Sequence, residues 1–353
     1  MEPDLSSPLG VVHYGLGPIG LAAAALVSER PWLRSVAAVD VRPEVQGRTL
    51  AELLGRDAEA SPQVAPGYGG EKQAEVALHC TGSSLERVAP QLIGLVGAGL
   101  NVISTTEELS FPWLAHPGLA AEIDLAARRA GVTVLGTGIN PGFAMDYLAL
   151  VLSAVAQRVD QVVVHRVQDA GTRRVPLQRK VGAGMAPEAF RAAVAEGRLG
   201  HVGMTESAHA LADAFGWPLT ALREAIEPIC ADTPTPMAEG VVQRGQVLGL
   251  HQTAEGEVGT RTVISLTLDM AVGIGPTRDH VRLVGRPSLE LDIPGGLHGD
   301  TATAAIVVNA IPRVVAAPPG LLVMSDLPPP VPGPPRAARH ARARRSARHG
   351  RER

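Results

Sequence analysis

The sequence is poor in aromatics, cysteine and lysine. Aromatics make up 3% of it, cysteine occurs twice, and lysine occurs only at Lys72 and Lys180. With few rings to bury, the core must rest on Val, Leu, Ile and Ala, as in helix-covered parallel sheets. Cys80 and Cys230 give no disulfide framework. Cys80 closes an apolar run with nothing nearby in sequence to activate it, and both thiols read as buried core residues. No stretch of 18 apolar residues avoids charge and turn signals, so no membrane span is expected. The opening MEPDLSSPLG lacks a basic segment followed by a long apolar run, so no secretory signal is expected and a cytoplasmic location is the default expectation. The eleven histidines are scattered, HExxH and paired-Cys spacings are missing, and no metal site is expected.

What is present is enough for two domains: 353 residues, 45% of them hydrophobic. The formal net charge of −3 hides an asymmetry. Residues 331–353 carry eight Arg and one Glu, so the rest of the chain carries −10. An acidic body does not attract nucleic acid, and the Arg-rich tail reads as a disordered, solubilising extension.

Strand and helix patterns alternate through the first 137 residues. GVVHY, LRSVAAVDV, EVALHCTG, NVIST and VTVLGT are candidate strands, and helical stretches separate most of them. That spacing predicts a parallel α/β sheet. After residue 145 the period changes. A helix over about 143–156 leads to the β-branched strand VDQVVVHRV, then to helices near 187–196 and 204–215, and residues 241–292 read mostly as strands. The expected division is a dinucleotide-binding domain over 1–145 and an α+β domain for substrate and dimer contacts over 146–300. A returning helix and strand over 301–327, bent near Pro312, and a tail over 328–353 complete it.

The strongest local signal is GLGPIG. Gly15 permits the tight turn, Gly17 lets the backbone approach a pyrophosphate, and Gly20 lets helix and strand pack closely. Pro18 and Ile19 open the helix whose free N–H groups face the phosphates. Asp40, 20 residues after Gly20, ends the second strand, where a carboxylate can accept from both ribose hydroxyls. It disfavours a 2′-phosphate and points to NAD. Arg42 can offset this, so NADP stays open. Thr81, Gly82 and Ser83 end the next strand, where small residues admit the cofactor.

Taken together, GLGPIG at 15–20, CTGSS at 80–84, NVISTTEELSFPW at 101–113, GTGINPGFAMD at 136–146, RRVPLQRKVG at 173–182 and GLHGDTATAAIVVNAIPRV at 296–314 resemble a known family. It is the 2,4-diaminopentanoate dehydrogenase and native amine dehydrogenase family, related to dihydrodipicolinate reductases. The resemblance implies a Rossmann domain, a dihydrodipicolinate-reductase-like α+β domain and a C-terminal helix returning to the first. It also implies NAD(P)-dependent, reversible deamination of a primary amine or diamino acid to a ketone or aldehyde plus ammonia, in a homodimer.

The family's acidic residue falls on Glu108, with Glu107 a close second. Either follows a strand whose C-terminal end meets the ligand crevice of a parallel sheet, where a carboxylate can act as base; the alternative is that both cap a helix. Asn140, Pro141 and Phe143 are expected to line the nicotinamide end of the substrate pocket. His165, Arg173 and Gln178, with Arg174 and Lys180, form a polar stretch for substrate or domain contacts. The resemblance places His298, just before the last helix, near the site; the alternative is a structural histidine. The paired histidines and Ser-Gly-Thr loop of a dihydrodipicolinate reductase are missing, which argues against that enzyme. Two other functions stay open: an NAD(P)-dependent reductase of another small carbonyl or imine, and a non-catalytic nicotinamide-sensing or scaffold protein.

Overall fold

A computed structural model describes residues 8–57, 60–70, 74–172 and 175–334. The chain divides into two compact units. One runs to Ile139 and resumes at Gly299; the other is Asn140–His298. Arg173, Arg174 and the Arg-rich residues from 335 onward lie outside the described residues.

In the first unit the strands are β1 (Leu9–Tyr14), β2 (Leu33–Val39), β3 (Val64–Ala65), β4 (Val76–His79), β5 (Asn101–Ser104) and β6 (Thr133–Gly136). The last strand of the chain, β15 (Gly320–Leu322), joins them in the order β15-β6-β5-β4-β1-β2-β3. All the pairs are parallel. From β3 to β6 this is the doubly wound order of a dinucleotide-binding sheet. Helices α1 (Pro18–Ser28), α2 (Leu50–Leu53), α3 (Leu85–Gly97) and α4 (Pro117–Ala130) lie between the strands. The strands are buried on both faces, so they read as apolar runs rather than alternations. Helix α9 (Gly299–Val314) packs on α1 and β5, which makes it the expected returning helix. It runs two residues past Pro312 without a break. The proline sits in the last turn, where little helix remains to be disrupted.

The second unit has a six-stranded mixed sheet, β14-β13-β7-β12-β11-β8. Its strands are β7 (Arg158–Asp169), β8 (Ala221–Cys230), β11 (Val247–Val258), β12 (Arg261–Ala271), β13 (Arg278–Arg286) and β14 (Leu289–Pro294). The pair β9 (Thr235–Met237) and β10 (Gly240–Val242) stands apart. Helices α5 (Tyr147–Ser153), α6 (Val175–Lys180), α7 (Pro187–Ala195) and α8 (Met204–Phe215) complete the unit. Side chains alternate along a strand. Val162, Val164, Leu250, Ala254, Ile264, Leu266, Leu268, Val281 and Leu283 therefore share one face, where they pack with Phe190, Met204, Ala208 and Leu211 of the helices. The opposite face carries His165, Thr267, Asp269, His251 and His280, and among the described residues no helix of the unit joins the core from that side. Among the described residues no helix is long and apolar enough to cross a membrane.

Two local expectations are corrected. The helix expected from about 143 starts only at Tyr147. Asp146 caps it and also accepts the Gly142 N–H at 2.7 Å, which folds Asn140–Asp146 into a turn instead. Cys230, expected in the core, is exposed at the end of the edge strand β8; an edge strand is only half covered.

Candidate active site

The glycine turn fits a dinucleotide on steric grounds. Gly15 has φ +91°, and a Cβ there would lie 2.5 Å from the Cys80 carbonyl oxygen. A Cβ on Gly20 would lie 1.9 Å from the Gly15 oxygen. Both glycines are therefore demanded by packing of the turn itself. Gly17 is different, because a Cβ there would meet nothing of the chain within 4 Å. What the missing side chain leaves room for is a ligand against the start of α1, where Gly17 is the N-cap, Pro18 opens the helix and no side chain caps it.

Asp40 is 7% exposed and fully engaged. Its Oδ2 accepts from Leu16 N–H at 2.8 Å and from Arg42 Nη2 at 3.0 Å. Its Oδ1 accepts from the Arg42 main-chain N–H at 2.9 Å and from Nε at 3.0 Å. Burial alone would raise the Asp40 carboxyl, but Arg42 and the Leu16 N–H outweigh it and hold the group below its ordinary value.

The Thr81–Ser83 turn rests on a buried polar chain. His79 Nδ1 lies 2.9 Å from Ser104 Oγ, and its Nε2 lies 2.8 Å from Gln91 Oε1 and 2.9 Å from Thr81 Oγ1. Ser104 Oγ donates to Thr106 Oγ1, which donates to the Gly82 carbonyl at 2.8 Å. Burial holds the His79 imidazole down near 4, so it is a neutral spacer at working pH. Burial also pushes the Cys80 thiol up to about 12, so it is not a nucleophile.

Glu107 and Glu108 open a short 3₁₀ turn, Glu107–Ser110, directly after β5. Both are half-buried. Glu108 Oε2 accepts the Leu85 N–H at the first turn of α3 at 2.6 Å and lies 3.1 Å from His116 Nε2. Its carboxylate thus ties the 3₁₀ turn to the start of α3 and to His116, the N-cap residue of α4. Gly136 seals the other side: a Cβ there would lie 2.4 Å from the Leu109 carbonyl carbon.

In the second unit Asn140 and Pro141 are buried, and Phe143 is half-buried beside Tyr147. Asp146, 3% exposed, ties their turn together by accepting from Gly142, Tyr147 and Ser207 Oγ. Gln178 is fully buried, donating to the Gly171 carbonyl at 3.3 Å and accepting from the Ala238 N–H at 3.1 Å. His298 is exposed. The preceding Leu297 is held by a buried ion pair: its N–H donates to Asp279 Oδ2 at 2.6 Å and its carbonyl accepts from Arg166 Nη2 at 2.5 Å.

His165 does not join these residues. It projects from the helix-free face of the sheet, where its Nε2 lies 2.6 Å from Asp269 Oδ2, and His251 Nδ1 lies 2.5 Å from Asp269 Oδ1. The next residue, Arg166, faces the covered side, together with Gln168 and Gln252. Arg166, Asp279, His201, Gln252 and Glu224 went unrecognised from sequence. For the four on strands the only local signal was a polar residue at a covered-face position; His201, in the loop before α8, had none.

Residues 143–339 match the family described as the 2,4-diaminopentanoate dehydrogenase C-terminal domain. A 2,4-diaminopentanoate dehydrogenase of Acetoanaerobium sticklandii is 32% identical over 336 residues, covering 91% of this chain and 93% of the relative. An amine dehydrogenase structure from Mycobacterium smegmatis superposes with a TM-score of 0.80 at 24% identity, over 93% of this chain and 98% of that one. A dihydrodipicolinate reductase from Paenisporosarcina sp. TG-14 shares the fold at a TM-score of 0.50 and 12% identity, over 90% of this chain and 98% of that one. With the glycine turn, the acidic residue after β2 and the acidic pair after β5 in one sheet, these likenesses place the chain in the 2,4-diaminopentanoate dehydrogenase family of NAD(P)-dependent amine dehydrogenases.

Proposed function

We propose that this protein oxidises a primary amine or diamino acid to the ketone or aldehyde and ammonia, and runs the reverse amination. Gly15, Gly17, Gly20 and Asp40 would hold a nicotinamide dinucleotide, which would supply the hydride acceptor. Hydride can leave only a free amine, so a base must first take the ammonium proton. Loss of hydride then gives an iminium. Once the base has released the first proton to solvent, it removes one from the water that adds to the iminium carbon, and the carbinolamine expels ammonia as its hydroxyl proton passes to nitrogen.

The observation that carries this reading is the carboxylate pair at the end of β5. Glu108 is committed to the α3 start and to His116. Successive residues of a 3₁₀ turn diverge by about 120°, so Glu107 leaves the turn in a different direction from Glu108. We therefore give the proton chemistry to Glu107 and the anchoring to Glu108, reversing the order the sequence suggested. Asn140, Pro141 and Phe143 belong to the substrate site. NAD is the preferred cofactor and NADP is accepted through Arg42. The working form is a homodimer.

The test is a spectrophotometric screen. Amines, including 2,4-diaminopentanoate, are offered with NAD and NADP. Ketones and aldehydes are offered with ammonium and the reduced cofactors. Turnover that requires the amine, or ammonium in reverse, supports the proposal. Turnover of carbonyls without ammonium supports a simple carbonyl reductase in its place.

A further inference from the structure

Thr106 is 1% exposed and stands at the N-cap of the 3₁₀ turn, yet its side chain makes no capping bond there. A threonine at an N-cap ordinarily accepts an N–H of its own helix. Here Oγ1 turns away and donates to the Gly82 carbonyl at 2.8 Å, 24 residues back in the turn after β4. It is held from behind: Ser104 Oγ donates to Thr106 Oγ1 at 2.9 Å and accepts the Thr106 N–H at 3.1 Å. The single hydrogen of the Thr106 hydroxyl is thus left for Gly82. The next carbonyl, that of Ser83, accepts the Glu108 N–H at 3.4 Å. Both turns belong to the first unit.

Gly82 is the residue that needs this hold. It is exposed, and a Cβ there would make only ordinary contact, 3.6 Å from Val88 Cγ1. Nothing in the chain demands glycine at this position, as nothing demands it at Gly17. What glycine leaves is room for a ligand against the backbone, at the cost of a peptide free to rotate. The turn lies beside the dinucleotide glycines: a Cβ on Gly15 would lie 2.9 Å from Thr81 Cγ2, and the Cys80 N–H donates to the Tyr14 carbonyl at 2.7 Å. In a trans peptide the carbonyl and the following N–H point in opposite directions. With the Gly82 carbonyl drawn toward buried Thr106, the Ser83 N–H points away from it, to the exposed side of the turn.

We infer that Thr106 is a positioning residue for the cofactor: its hydroxyl fixes the Gly82–Ser83 peptide in one orientation, so that the Ser83 N–H stands ready to donate to an oxygen of the dinucleotide. The inference rests on the dinucleotide part of the proposed function and not on the amine. Without the hydroxyl the peptide samples other orientations, and only the competent fraction binds. The base-bearing turn keeps its other ties, through the Glu108 N–H to Ser83 and the Glu108 carboxylate to the Leu85 N–H. Loss of the hydroxyl therefore acts on binding and spares the base.

Thr106→Val keeps the branched side chain and removes the donor. Titrated by fluorescence with NADH and NADPH, this variant should bind the preferred reduced cofactor about tenfold more weakly, the worth of one ordered hydrogen bond. Amine oxidation at saturating cofactor should stay within about threefold of wild type, as for a contact that serves binding alone. Thr106→Ser returns the hydroxyl without the methyl group and should bind within about twofold of wild type. A Val variant that binds like wild type overturns the inference, whatever its melting temperature. So does a Ser variant as weak as the Val one, which makes the methyl group responsible. A lost rate with unchanged binding also overturns it, and assigns Thr106 to the base turn. If the Val variant does not fold, Ser104→Ala and Gly82→Ala decide. The first loosens the Thr106 hydroxyl and the second places a methyl group in the space left for the ligand; unchanged cofactor binding in either overturns the inference. Wild-type protein that binds reduced cofactor but turns over no amine overturns the proposed reaction and leaves Thr106 to be judged by the titrations. Wild-type protein that binds neither cofactor overturns both.

Discussion

The Arg42 guanidinium clasps both oxygens of Asp40, with Nε 3.0 Å from Oδ1 and Nη2 3.0 Å from Oδ2, and the same Nη2 lies 2.9 Å from the Leu16 carbonyl. Asp40 is buried and Arg42 is 45% exposed, so the cation is the member free to move. NAD binding asks Arg42 to yield the carboxylate to the ribose hydroxyls. NADP binding asks it to turn toward the 2′-phosphate. NAD should be preferred, because Asp40 stays anionic in either case. Arg42→Ala should widen that preference about tenfold by weakening NADP, the loss expected for one charge-assisted contact. Asp40→Ala should narrow it. Kinetics with both cofactors at two ionic strengths would check this, and an Arg42→Ala variant that keeps its use of NADP would refute the account.

The two glutamates should separate by what they lose. Glu107→Gln should slow hydride transfer by roughly 10²–10⁴-fold with little change in cofactor binding or melting temperature. Glu108→Ala removes the acceptor for the Leu85 N–H and the partner of His116, and should cost about 1 kcal/mol of stability, as loss of a helix cap does. Glu108→Gln retains an oxygen for that N–H and should be milder. Single-turnover rates beside thermal melts decide, and the opposite ranking would move the base to Glu108.

Stability should fall in mild acid for a reason that names three residues. Desolvation is the largest cause that lowers His13, His79 and His201 each from 6.5 to about 4. The unfolded chain therefore binds these protons below about 6.5, while the folded chain resists them down to about 4. The stabilisation is complete above 6.5 and drains away as pH falls toward 4. Within that window each group steepens the loss by roughly 1.4 kcal/mol per pH unit. Chemical denaturation at several pH values would measure the slope. His79→Gln should flatten it relative to wild type even though it lowers stability at neutral pH; an unchanged slope would remove His79 from the explanation.

The parallel sheet was legible in sequence because strands buried on both faces are apolar throughout and helices of ordinary length separate most of them. GLGPIG was legible because its geometry depends on covalent spacing alone. Elsewhere the signal was too short or too distant. β3 is a two-residue strand inside a Pro- and Gly-rich loop. β8, ALREAIEPIC, mixes charges with a proline and carries only the weak pattern of an edge strand. His165 and Arg166 are adjacent in one strand, and which of them faces the helices depends on register, which no residue in VDQVVVHRV reveals. The cluster that joins Glu224 and His201 through Gln252 spans separations of 28 and 51 residues along the chain. Such a cluster has no local motif to find.

The helix-free face of the second unit's sheet bears on how the protein assembles. Five strand spacings of about 4.8 Å and strands of up to 12 residues give it an area on the order of 800 Å², what one partner buries in a stable interface. Its centre is mixed rather than strongly charged. Val163, Thr253 and Thr267 lie among His165, His251 and Asp269, whose polar atoms are already paired with one another. Its margins are charged, with Arg223 and Glu227 on one side and Arg282, Glu290 and Asp292 on the other. A two-fold axis through the middle would set each centre against its own copy and leave the charged margins at the rim. The wild-type protein should therefore be a dimer by light scattering at micromolar concentration. Thr267→Arg places a cation on each side of the axis and should yield monomer, with the fold intact by circular dichroism. A wild-type monomer, or a dimer indifferent to that charge, would place the contact elsewhere.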